Sequence, residues 1–316
     1  MIDRRTAVKS MSLGAASIAV GGAGMTSEAR GAGSGKPVFV LVHGAWHGAW
    51  TWSDLVPELA KAGYASVALD LPGAGTRTLL PKSFQKRPLD MAAFSTEMSP
   101  VAAITQDERT SATIDVVKCA ASMGNGRVVL VGHSWGGLTI SRVAEAVPEL
   151  LQSVVYLSAF LLPNGVPAGA LLGDAAFSTS LVNPMMKADP QKVGALRMDT
   201  RTDDPAGRAA MKLAFYADIS DERFDVIANF LHPDEVASTA GVPMAITGSR
   251  YGTVQRHYIA MDADNAIPPV AQDMMVKVVD ESKIGGSTSV HRMSGSHSPF
   301  FAKPGELAQV LGSFAS

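Results

Sequence analysis

Val128-Val129-Leu130-Val131-Gly132-His133-Ser134-Trp135-Gly136-Gly137 is the stretch around which the chain is organised. Its first four residues are apolar and mostly β-branched, the composition of a strand buried on both faces. A serine set between two glycines follows, and then a segment compatible with a helix. The run predicts strand, sharp turn and helix, with Ser134 at the apex. A serine hydroxyl is a poor nucleophile unless a base stands beside it, and its reaction needs donors aimed at the developing oxyanion. A turn of this kind meets part of that need. The glycines remove side chains that would clash, and the backbone N–H of the following residue, Trp135, is placed to donate to the oxyanion.

Upstream, Val38-Phe39-Val40-Leu41-Val42 is a second continuous apolar run, ending in His43-Gly44-Ala45-Trp46-His47-Gly48. A helix over 53–62, with Ser53 as N-cap and Gly63 as stop, leads to a strand over 65–70. Strand, helix, strand at this spacing is a βαβ unit, so the fold class is α/β. Residues 76–105 carry Pro81, Pro88 and Pro100 without a sustained period, and read as a long loop with at most short helices. A helix over 106–123 puts Ile114, Val117 and Ala121 on one face, and the helix after Ser134 runs to about Ala146, ended by Pro148. Residues 154–159 form the next strand.

Between about 160 and 240 the strand pattern lapses into helix-prone pieces rich in Met, Leu and Phe. This segment is about half the commonest domain size, so it reads as a helical cap inserted over the strand ends. The sheet resumes with a strand over 256–261, a helix over 268–279, a strand near 287–293 and a helix over 304–311. The expectation is one domain over 37–316, with a mostly parallel central sheet flanked by helices.

The 316 residues are 47% hydrophobic and 18% charged with a formal net charge of −2, which suits a core of that size and supplies no basic excess for nucleic acid. The single cysteine, Cys119, leaves neither an internal disulfide nor a cysteine-based metal cluster. Residues 1–36 have a different grammar: Arg4-Arg5, a Gly/Ala-rich apolar run from Met11 to Met25, and Ser27-Glu28-Ala29 as a small-x-small cleavage site. They resemble a twin-arginine export signal and linker, which implies a periplasmic destination. The apolar run is too short and glycine-rich for a stable membrane anchor.

Three further stretches carry a resemblance: VLVHGAWHGAWTW at the first strand, GHSWGG at the serine, and RYGTVQRHYIAMDADNAIPPVAQ followed by GSHSPFFAKPGEL. They resemble the α/β-hydrolases grouped around plant methyl esterases and hydroxynitrile lyases, with their bacterial esterase-like relatives. The resemblance implies Ser134 as nucleophile and His297 as catalytic histidine. Asp262 and Asp264 are both available as the acid, and the register before Ile267-Pro268 selects Asp264. The order Ser, Asp, His along the chain is the one this fold uses. The resemblance further implies Ala45 as the second oxyanion donor beside Trp135. Trp46 and His133 are expected at the substrate pocket, with Trp46 and Trp135 narrowing it. His43 is expected to be structural, and His43 and His47, four apart on a strand-to-loop corner, do not share a face, so no metal is expected.

The reaction so implied is cofactor-free hydrolysis of a small-molecule carboxylic ester through an acyl-enzyme on Ser134. Two alternatives accompany it: a cyanohydrin lyase working the same triad as an acid/base device, and a ligand-binding protein that kept the fold. In the lyases of the group a threonine follows the strand-end histidine and a lysine follows the catalytic histidine. Here those positions hold Gly44 and Ser298.

Overall fold

The computed structural model describes residues 35–315; the export-signal reading falls almost wholly outside them. Eight strands follow in chain order: β1 (Val38–Val42), β2 (Ser66–Leu69), β3 (Val128–His133), β4 (Leu151–Leu157), β5 (Ala195–Arg197), β6 (Asp234–Val236), β7 (Gln255–Met261) and β8 (Ser289–Met293). Six of them form one sheet in the order β2-β1-β3-β4-β7-β8. Every pairing in it is parallel. Parallel strands need helical crossovers, and these cover both faces. Alternate residues of each strand therefore feed two separate cores. Val40, Leu130, Val154 and Tyr258 join the core under helices Gln106–Met123, Gly136–Ala146 and Pro269–Glu281. Phe39, Val129, Val155 and Ile259 join the core under helices Leu55–Lys61 and Pro304–Gly312. Burying each such side chain is worth about 1.5–3 kcal/mol, which is why continuous apolar runs, and not alternating ones, mark these strands.

The order reverses at β1: the chain moves outward to β2, then crosses to β3 on the other side. The carboxyl ends of β1 and β3 thus diverge into loops on opposite sides of a crevice, the position where open parallel sheets bind ligands. The loop after β1 carries Ala45 and Trp46, and the turn after β3 carries Ser134.

Several boundaries differ from expectation. The first helix begins at Leu55 with Asp54 as N-cap, because residues 49–52 form a 3-10 turn whose last hydrogen bond, Ser53 N–H to the Trp50 carbonyl at 3.0 Å, uses Ser53. Strand β4 starts at Leu151 and ends at Leu157, because Ser158 leaves the strand with a φ of 40°. The 76–105 loop contains a helix at Met91–Thr96 and two 3-10 turns, as its composition suggests. The cap is not purely helical. Strands β5 and β6 pair antiparallel within it, three residues each, too short for a periodicity of two to register.

Two buried ion pairs sit on adjacent residues of β6, one within the cap and one joining it to the body. Arg197 of β5 donates from Nε and Nη2 to the two oxygens of Asp234, both at 2.7 Å, and from Nη1 to the carbonyls of Phe94 and Glu97. Glu235 pairs with Arg109 of helix Gln106–Met123. Pairs with this little exposure add little net stability, because desolvation offsets most of the Coulombic gain, while loss of one partner would leave a buried charge unpaired.

Candidate active site

Ser134 has a φ of 52°, a left-handed backbone that a serine adopts only under constraint. The constraint is packing of backbone on backbone. The Ser134 N–H reaches the Leu157 carbonyl at 3.2 Å, and its own carbonyl accepts from the N–H groups of Gly137 and Phe160 at 3.1 and 3.0 Å. A Cβ on Gly136 would lie 2.6 Å from the His43 carbonyl oxygen, so only glycine lets the following helix start against β1. No backbone carbonyl among the described residues takes the N–H of Trp135 or of Ala45. Both residues line one cavity with Ser134.

The loops after β7 and β8 bring Asp264 and His297 together, His297 Nδ1–H donating to Asp264 Oδ2 at 2.7 Å with both side chains buried. The other Asp264 oxygen accepts from the N–H groups of Ala266 and Ile267 at 2.7 and 2.8 Å. The Ser158 hydroxyl also donates to Oδ2, and Gln272 Nε2 lies 3.4 Å from it. Asp262, two residues earlier, is exposed and accepts from the Gly295 N–H at 2.9 Å. Of the two carboxylates that the sequence offers, Asp264 is the one at the histidine. Ser158 lies outside every stretch that carries the resemblance, and Gln272 closes one of them without any feature that marks it as a partner of the aspartate. Ser158 becomes visible only through its strained backbone.

His133 corrects an expectation. It is fully buried and does not line the cavity. Its Nε2–H instead donates to the His297 carbonyl at 2.9 Å, and its ring lies 4.4 Å from that of His297, so it holds the last loop in place from behind. Burial, and then the neighbouring His297, push its pKa well below the usual histidine range. His43 and His47 are also neutral: burial pushes them down to about 4 and about 3. His43 Nδ1–H donates to the Gly44 carbonyl at 2.8 Å and Nε2 accepts from the Leu71 N–H at 3.1 Å, the structural role expected of it. His47 bonds the Ala45 carbonyl and the Tyr216 hydroxyl.

Trp46 has a φ of 61° and is held from both ends by the cap. Its N–H points to Glu235 Oε2 at 3.4 Å and its carbonyl accepts from the His232 N–H at 3.1 Å. The His232 Nε2 sits 3.0 Å from the His47 carbonyl. Both tryptophans narrow the cavity and are anchored to the cap, Trp46 Nε1–H to the Leu196 carbonyl and Trp135 Nε1–H to the Thr239 hydroxyl, each at 2.8 Å. The cavity measures about 70 Å³, and its walls are mainly apolar, with Phe160, Phe215 and Ile267 among them. Among the described residues no cluster of three or more His, Cys, Asp or Glu could hold a metal.

A parallel sheet that reverses beside a strained serine, with the loops after its last two strands supplying a carboxylate and a histidine, is the architecture of α/β hydrolases. Residues 39–310 match the alpha/beta hydrolase family, and the chain belongs to it. It is 28% identical over 295 residues to an alpha-hydroxynitrile lyase of Arabidopsis thaliana, across 89% of this chain and 98% of that protein. It is 26% identical over 292 residues to Esterase PIR7B of Oryza sativa subsp. japonica, across 88% and 95% of the two chains. Among solved structures, a pyrethroid hydrolase from Sphingobium faniae JZ-2 superposes with a TM-score of 0.69 at 22% identity, over 88% of this chain and 97% of that one. At that identity the likeness is one of fold.

Proposed function

We propose that the protein hydrolyses carboxylic esters of small to medium size through an acyl-enzyme on Ser134. His297 takes the Ser134 proton as the hydroxyl oxygen attacks the ester carbonyl. Asp264 fixes the imidazole tautomer and stabilises the imidazolium, and the N–H groups of Ala45 and Trp135 receive the oxyanion. His297 then gives the proton to the departing alcohol. Water, activated by the same histidine, releases the acid in a second step. The observation that carries this reading is the buried 2.7 Å pair of His297 and Asp264 on the loops next to a strained serine.

A cyanohydrin lyase is the second reading, because one relative bears that name. Two observations weigh against it. A Cβ on Gly44 would lie 2.8 Å from Ser134 Cβ and 3.0 Å from His133 Nδ1, so a threonine does not fit there without moving the nucleophile. Among the described residues no lysine or arginine lines the cavity to receive a departing cyanide, and a buried anion without a partner costs several kcal/mol. The test is turnover of small aryl esters beside cleavage of mandelonitrile. Ester hydrolysis with no cyanohydrin cleavage above the buffer rate is expected. Cleavage of mandelonitrile that is lost in Ser134→Ala would reverse the assignment.

A further inference from the structure

The cavity at Ser134 has a neighbour. A surface groove of about 560 Å³ lies beyond Leu172 and Leu196, two side chains that also line the 70 Å³ cavity, so the same pair forms the partition between them. Both leucines are only half-buried. The groove is open because its walls are small: Gly169, Gly194, Ala237, Ala240 and Gly241 contribute. Among the described residues its lining holds no charged side chain, and the hydroxyl of Ser238 is already committed to the Ile104 carbonyl at 2.9 Å. Gln191 is the remaining polar side chain in the lining. The partition is mechanically tied to the reaction site, since the Leu196 carbonyl accepts the hydrogen bond from the Trp46 indole, next to Ala45.

By the same measure the groove has eight times the room of the inner cavity. A substrate with its carbonyl at Ser134 and any arm larger than the inner cavity must place that arm elsewhere, and the leucine partition leads to an uncharged apolar trough. Resting on the ester-hydrolase reading above, we infer that the groove is a second substrate subsite, taking an extended, uncharged, apolar arm of the ester. Leu172 and Leu196 act as the gate that sets how broad that arm is at its root.

Two ester series test this: p-nitrophenyl esters with acyl chains of two to ten carbons, and acetates of primary alcohols over the same range. Each methylene buried in the groove is worth about fourfold in kcat/KM. In the wild type one of the two series is expected to rise with length beyond the size that fills the inner cavity. Gly241→Phe fills the groove from a position where an added Cβ meets nothing within 4 Å. It should lower the ratio of kcat/KM for the longest to the shortest ester at least tenfold. Gln191→Trp, an exposed position on another element of the wall, should move the same ratio in the same direction. A length profile that neither variant changes would overturn the subsite and leave the groove to some other occupant. A protein that hydrolyses no ester of either series would instead overturn the proposed function itself.

Discussion

Asp262 and Asp264 lie two residues apart, and their surroundings separate them completely. Asp264 is 2% exposed and accepts from two backbone N–H groups, the Ser158 hydroxyl and His297. Asp262 faces solvent. Asp264→Asn should therefore lower kcat about 10⁴-fold by stranding His297 in the wrong tautomer. Asp262→Asn should cost no more than a few-fold, and steady-state kinetics of the two variants on one ester check this. Equal small losses would mean that another group orients the histidine. At this scale the strained turn at Ser134 and the pairing of Asp264 with His297 were legible, because glycines around a serine and an Ile-Pro after an aspartate leave marks in a sequence. Ser158 was not legible, and neither was the true place of His133. Both act through directions of approach that depend on where β4 and β8 end.

The elements that matter most are the β1 loop and β6 of the cap. Trp46 is strained, and its N–H and carbonyl are both held by residues 232–235, with Arg109 behind Glu235. The loop proposed to receive the oxyanion is thus positioned by the cap. Glu235→Gln keeps the shape and removes the charge opposite Arg109. It should loosen the Ala45 donor and lower kcat about tenfold with little change in KM, against the 10²–10³-fold that loss of a whole oxyanion donor costs. A rise in KM with kcat unchanged would place Glu235 in substrate binding alone. The long helices were legible because their apolar periods extend over many residues, and the parallel strands because they are continuous apolar runs. The β5–β6 pair was not. Three residues per strand carry no period, and what fixes them is Arg197, Asp234, Glu235 and Arg109, charged residues whose burial no local pattern announces.

Across the whole molecule, the histidines packed neutral around the site couple folding to pH. Burial lowers His43 to about 4 and His47 to about 3, while the unfolded chain titrates them near 6.5. Above 6.5 neither state binds the proton and the contribution to stability is complete. As the pH falls below 6.5 the unfolded state takes protons that the native state refuses, so stability is lost progressively down to the folded values. For His43 this amounts to roughly 3 kcal/mol by pH 4. Urea unfolding midpoints should fall steadily between pH 7 and 4.5, with a shallower slope in His43→Asn; a flat profile would mean that these imidazoles are hydrated. In the proposed reaction Ser134 forms the covalent intermediate. Its most direct test is intact-mass and peptide mass spectrometry after treatment with a serine-directed phosphonate ester. The expected result is stoichiometric phosphonylation of the peptide containing Ser134, loss of ester turnover in step with labelling, and no label in Ser134→Ala. Full ester turnover by a protein unlabelled at Ser134, or undiminished hydrolysis by Ser134→Ala, would contradict it.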